Sequence, residues 1–198
     1  GPILARNFQS STQFNIYSIC DSNLSNLEKA KNIYPNSVYY NSYNKALNNK
    51  KIDIVIISTP TNTHYKIAKA ALLKKKHVVC EKPLSLKINE VKYLIKLKKK
   101  NKRFLFVDYP FIYSESVSFI KKIIAKKKLG KILIYESIRE KAPYRKDTNV
   151  IWDLGIHDFA ILQYLIKKVP TKFEVNTYKT KNKYKSDFAN ISLKYNNN

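Results

Sequence analysis

What the chain lacks narrows its possible roles. Cysteine occurs only at positions 20 and 80, each closing an apolar, strand-like run where a small buried thiol is the ordinary role of the residue. A disulfide framework of the kind that staples small secreted domains is therefore excluded, and a reducing compartment fits. No apolar run reaches the roughly 18 residues that a membrane-spanning helix needs, and the first residues carry neither the charged nor the apolar region of a signal peptide. No membrane partner is expected, and the cytoplasm is the expected location. Glycine stands only at positions 1, 130 and 155, so no G-x-G pair lies within the chain. Acidic side chains are also few, 14 against 38 lysines and arginines, for a formal net charge of +24.

That charge would ordinarily point to nucleic acid, because clustered cations release counterions from phosphates. Arginine, however, occurs only at positions 6, 103, 139 and 145, and Lys, Asn, Ile and Tyr, all with A/T-rich codons, dominate throughout. Genome composition is a sufficient explanation, and a nucleic-acid partner is not expected. The lysine clusters at 74–76, 98–100 and 126–128 fall at helix ends, where cations complement the helix dipole. With 198 residues, 44% of them hydrophobic, the chain can hold one domain with a real core and part of another. It contains no internal repeat.

Strand and helix signals alternate over the first half. PILARNF opens a helix, with Pro2 at a position where its missing N–H costs nothing. Short β-prone runs follow at 15–20, 38–40, 53–58, 77–83 and 103–109, separated by helical patterns at 25–34, 45–48, from Asn62 as an N-cap, and 85–100. The continuous β-branched run DIVIIS reads as a strand buried on both faces of a parallel sheet. This alternation argues for a doubly wound parallel sheet of the Rossmann type. The pattern changes near residue 110: a helix at about 115–128, a turn at Gly130, the strand KILIYESIR (131–139), a helix over 148–161, and two strands in KFEVNTYKTK and FANISLKY. Residues 1–109 are thus expected to form one domain and 110–198 part of a second, α+β domain with an antiparallel sheet.

Several polar residues stand in positions that need explaining. TNVIWDLGIHDFAI sets Asp153 and His157 four positions apart in an apolar helix, on a shared face, so the acid can orient the imidazole. Such a pair is either mutually satisfied structure or part of a reactive site. Asp21 ends the strand 15–20, where an acid can bond both hydroxyls of an adenosine ribose and repel a 2′-phosphate; a turn or capping aspartate is the alternative. Thr59-Pro60-Thr61-Asn62-Thr63-His64 and Glu81-Lys82-Pro83 follow strands at the carboxyl edge where open α/β sheets bind ligands. A cis bond before Pro83 is expected from the bend.

Four stretches in fixed order, GPILARNF, the strand ending in Asp21, STPTNTH with CEKPLS, and NVIWDLGIHD, resemble the Gfo/Idh/MocA family of NAD(P)-dependent oxidoreductases. Lys82 precedes His157 by 75 positions, close to the family's usual separation. The resemblance implies hydride transfer between nicotinamide and a hydroxyl-bearing carbon of a sugar or nucleotide sugar, with NAD rather than NADP as cofactor and no metal. It makes Lys82, Asp153 and His157 catalytic, and Gly1, Asp21, Thr59, Thr61, His64, Glu81 and Lys82 cofactor-binding. Tyr113 and Arg139 are the substrate-side candidates, with packing or surface pairing as the alternative, because VDYPFIY and REKAPYRKD depart from the family's usual segments. Gly1 aligns with the third glycine of the family's phosphate loop, so the chain is expected to be truncated at both ends, its first strand missing between 15–20 and 53–58. The family's strand order keeps Cys20 and Cys80 roughly 14 Å apart, too far for a disulfide. A full-length form is expected to be a homo-oligomer. The alternatives are a catalytically inactive remnant and a non-enzymatic binding module of the same fold.

Overall fold

The structure, a computed structural model, describes residues 1–127, 130–140, 148–179 and 186–196. It divides into two compact units, Gly1–Asp108 and Tyr109–Asn198. The first alternates helix and strand throughout: α1 (Pro2–Gln9), β1 (Ser18–Cys20), α2 (Leu24–Ile33), β2 (Val38–Tyr40), α3 (Tyr43–Leu47), β3 (Ile54–Ile57), α4 (Thr61–Leu73), β4 (His77–Glu81), α5 (Ile88–Lys100) and β5 (Leu105–Asp108). All strand pairs in this unit are parallel. They form two sheets, β1-β2 and β3-β4-β5, that share no ladder among the described residues.

The core of this unit lies where α4 and α5 cover one face of β3-β4-β5. Leu72, Val78, Cys80 and Leu94 are fully enclosed there, joined by Ile57, Ala68 and Ala71. The other face is thinly covered. Ile57 is 1% exposed but Ile54 and Ile56 are each 38% exposed, so β3 is not buried on both faces as its composition suggests. Successive side chains of a strand point to opposite faces, and only the face under the two helices finds apolar partners. Both cysteines are free thiols. Burial and the neighbouring Glu81 push the Cys80 thiol up to about 12, which leaves it inert packing material.

Helix ends depart from the sequence reading in ways that side-chain chemistry explains. The α4 helix begins at Thr61 with Pro60, rather than Asn62, in the capping position. The Thr63 N–H and hydroxyl both donate to the Pro60 carbonyl, so the turn is closed without Asn62. The α5 helix begins at Ile88 rather than 85, because the Ser85 hydroxyl is held by Glu90 and accepts from the Lys87 N–H, local bonds that compete with a helical turn. Glycine scarcity has a visible consequence: Lys75, Lys102, Lys127 and Lys167, at or just beyond the ends of helices, adopt the left-handed conformation with φ between 51 and 57°, a position that glycine usually fills.

In the second unit a 3₁₀ turn (Pro110–Tyr113) leads into α6 (Glu115–Ala125), whose capping Ser114 accepts from the Val117 N–H at 3.3 Å. A π-helical turn (Ile151–Gly155) runs into α7 (Ile156–Ile166). The strands β6 (Lys172–Tyr178) and β7 (Phe188–Lys194) pair antiparallel with Val175 opposite Ile191. Phe173, Val175, Ile191 and Leu193 fall on one face of this hairpin, and Lys172, Glu174, Ser192 and Lys194 on the other. Gly130 takes the expected turn, at φ 73°. The segment 131–139 does not form a strand. Among the described residues it pairs with no strand, and Leu133 and Ile134 stand 89% and 85% exposed. Residues 141–147 of the REKAPYRKD segment and 180–181 of KFEVNTYKTK lie outside the described residues. Among the described residues no helix is long and apolar enough to cross a membrane.

Three stability measurements follow from this packing. Leu72→Ala should lower the unfolding free energy by about 2–5 kcal/mol in urea titrations, the range for emptying a closed aliphatic site. Lys102→Gly should raise it by about 0.5–1 kcal/mol, since glycine removes the left-handed strain. Burial raises the Asp108 carboxyl above its usual 3.8, so the folded state holds that proton more tightly, and stability is lost as the pH rises through the raised value. Asp108→Asn should therefore raise the melting temperature at pH 7, with the gain vanishing as the pH falls below about 4.

Candidate functional site

Parallel strands joined by crossovers all finish at one edge of their sheet, and in each of the two sheets of the first unit that edge carries polar side chains. Asp21 directly follows β1 and extends its ladder, its N–H donating to the Tyr40 carbonyl at 3.2 Å. One carboxylate oxygen accepts from the Asn23 N–H at 2.8 Å and the other from the Asn26 side chain at 2.9 Å. The turn role considered for this residue is thus real, while the helix cap itself is Asn23. Two bonds fix the rotamer and leave each oxygen a further lone pair for a ligand.

After β3 the chain turns through Ser58, Thr59 and Pro60 into α4. The Thr59 hydroxyl bonds that of Thr63 at 2.6 Å, and Thr61 opens the helix, half-buried. His64 is 1% exposed. Its Nδ1 lies 2.7 Å from the Pro83 carbonyl and its Nε2 2.8 Å from the Thr59 carbonyl, so the ring ties this loop to the one after β4. Gly1 meets the same region: a Cβ there would stand 3.2 Å from the Ser58 hydroxyl, a close helix–strand approach that favours glycine. At the end of β4, Glu81 and Lys82 are half-buried, and the Lys82–Pro83 bond is cis, as expected. Asp108 ends β5 in register with Glu81, which puts a second carboxylate at this edge.

In the second unit Asp153 and His157 are 7% and 9% exposed. The acid lies in the π-helical turn rather than in an α-helix. In an i→i+5 repeat four residues fall just short of a full turn, so the two positions still share a side. The Phe111 ring meets the His157 ring edge-on, centroids 4.9 Å apart. Arg139 is engaged by Asp158, Nε to Oδ2 and Nη2 to Oδ1 at 3.0 Å each. Tyr113 is 62% exposed at the end of the 3₁₀ turn.

Three of these residues escaped the sequence reading. Asp108 carried a signal, an acid closing a strand as Asp21 and Glu81 do. Phe111 and Asp158 carried none, since their roles arise from contacts with distant residues.

A family model described as an oxidoreductase family with an NAD-binding Rossmann fold matches residues 2–109. An uncharacterized oxidoreductase of Schizosaccharomyces pombe is 32% identical over 127 residues, 64% of this chain and 34% of that protein. The myo-inositol 2-dehydrogenase of Thermotoga maritima is 27% identical over 172 residues, 84% of this chain and 52% of that protein. The chain therefore spans about a third to a half of the length of these curated relatives. Among solved structures, the WlbA dehydrogenase of Chromobacterium violaceum, in complex with NADH and UDP-GlcNAcA, shares the fold with a TM-score of 0.84 at 21% identity, over 98% of this chain and 61% of that one. With the family model covering more than half of its residues, the chain belongs to the Gfo/Idh/MocA oxidoreductases.

Proposed function

We propose that the protein is an NAD-dependent dehydrogenase acting on a hydroxyl-bearing carbon of a polyol, sugar or nucleotide sugar, and that this chain carries its nucleotide-binding and proton-transfer residues. The observation that carries the reading is the polar residues at the carboxyl ends of parallel strands in both sheets: Asp21 after β1, the Thr59 loop after β3, and Glu81-Lys82 after β4. The named activities of the relatives, on inositol and with a bound UDP-sugar, support the substrate class.

The residues present fit the dinucleotide. Gly1 lets the start of α1 approach Ser58, in the turn after β3, and the positioned Asp21 carboxylate has acceptor capacity for two ribose hydroxyls and repels a 2′-phosphate, which favours NAD over NADP. Thr59 and Thr61 would lie along the cofactor, with Glu81 at the nicotinamide ribose; the buried His64 holds the two loops together. When bound, NAD supplies the carbon that accepts the hydride. In this reading His157 takes the hydroxyl proton, Asp153 holds the imidazole in the tautomer that can accept it, and Lys82 serves as a hydrogen-bond donor to substrate. The apolar face of the β6–β7 hairpin, where Phe173 is 73% exposed, supports a homo-oligomer.

His157→Ala should reduce turnover by about 10²–10⁴-fold in steady-state assays with inositols and UDP-sugars, the usual span for general acid–base catalysis. Unchanged turnover would reject the role. Asp21→Ala should weaken NAD binding about 10–100-fold, the worth of hydrogen bonds to a charged acceptor, while NADP binding holds or improves. Calorimetric titration with both cofactors checks this, and equal losses for the two would reject the ribose contact. Cofactor binding without turnover of any substrate would leave the binding-module alternative standing.

A further inference from the structure

In the second unit a closed ring of contacts surrounds one side of His157. The Arg139 guanidinium bonds both oxygens of Asp158 at 3.0 Å, a fork-on-fork geometry that fixes both side chains. The Ser137 hydroxyl donates to Asp158 Oδ1 at 2.8 Å. The guanidinium also lies over the Phe111 ring, 4.6 Å from its centroid, and the Phe111 ring meets that of His157 at 82°, centroids 4.9 Å apart. Asp158 follows His157 directly in α7, so the path Asp158, Arg139, Phe111, His157 returns to its start. Its members come from three separated segments, the 3₁₀ turn, residues 131–139 and α7.

We propose that Phe111 and the Arg139–Asp158 pair are positioning residues for His157, the aromatic ring setting the plane of the imidazole and the pair cancelling the net charge beside it. The inference rests on the reading of His157 as the proton acceptor. Among the described residues segment 131–139 forms no ladder, and it exposes Leu133, Ile134 and Ile138, so no described backbone pairing holds Ser137 and Arg139 in place. Their side-chain bonds to Asp158 do. The pair is itself partly sheltered, at 25% and 18% side-chain exposure, where charges act over longer distances than on an open surface. The nearby Tyr135 phenol registers both partners: burial pushes it up most, Ser137's hydrogen bond opposes that, Asp158 adds to the rise and Arg139 counters it.

A pair of opposite charges 3.0 Å apart acts on a neighbouring ring as a compact dipole, and removing either member uncovers a full charge of known sign. Arg139→Met leaves the Asp158 carboxylate, which favours the imidazolium form of His157. Asp158→Asn leaves the guanidinium, which opposes it. A merely structural role would disturb both variants in the same way. The other titratable or charged groups of this unit near the ring or on elements packed against α7, Asp153, Tyr113, Tyr135, Glu115, Lys121 and Lys122, are common to all the variants and cancel in the comparison.

The test is an NMR titration of the His157 ring in the full chain, its resonances assigned by their loss in His157→Gln. The midpoint should rise by about half a pH unit in Arg139→Met and fall by a similar amount in Asp158→Asn, while Arg139→Lys, which keeps the charge, stays near the wild type. Phe111→Leu should move the His157 ring-proton shifts and lower kcat with the cofactor KM unchanged. Midpoints that move in the same direction, or do not move in the near-isosteric Asp158→Asn, would overturn the proposal. A wild-type protein without dehydrogenase activity would reject the function proposed above, and the titration would still decide whether the pair sets the charge around His157.

Discussion

Parallel pairing obliges the strands within each sheet of the first unit to finish at the same edge, and the arrangement of its polar residues depends on that constraint. Val78 and Cys80 of β4 point into the closed core under α4 and α5, while Glu81, one residue on, belongs to the opposite face at the strand's end. A slip of one residue would turn Glu81 toward the helices and expel Cys80. The apolar packing of Leu72, Leu94 and Val78 thereby sets the register that places Glu81 beside Asp108 and leads the chain into Lys82. His64 adds a second restraint, fastening the turn after β3 to the turn after β4 through two carbonyls.

The second unit achieves order differently. It has little sheet, and its fixed point is the buried run from Asp153 to His157, where a π-helical turn feeds a helix anchored by Ile156 and Leu162. Polar groups enclosed at that depth need partners whose charges balance. The Arg139–Asp158 pair meets this requirement at the rim, and it tethers a segment whose exposed apolar residues would otherwise leave it without a defined position.

A lysine-rich, glycine-poor composition shapes both units. Helix ends that would commonly carry glycine carry lysine in the left-handed conformation, and runs such as Lys98–Lys100 sit where the helix dipole favours cations. Much of the net charge is thus spent on closing helices and solvating their ends. The same bias explains why a charge of +24 coexists with a fold whose polar chemistry is concentrated in a few acids, one lysine and two histidines.

Residue order alone determined whatever depends on near neighbours. The alternation of β-prone runs and helical spacing gave the parallel architecture, turn chemistry located the loops after β3 and β4 and the bend at Pro83, and an acid closing a strand marked Asp21. Tertiary structure decided whatever needs a partner far along the chain. The run 131–139 has every local feature of a strand, yet among the described residues it pairs with none. Ile54 and Ile56 are as apolar as Ile57, yet they stay half-exposed because only one face of β3 is covered. Asp158 and Phe111 are unremarkable in sequence and meet Arg139 only because three segments fold onto one another. Hydrogen bonding to near neighbours is written in spacing, whereas burial and charge pairing are properties of the space that the whole unit encloses.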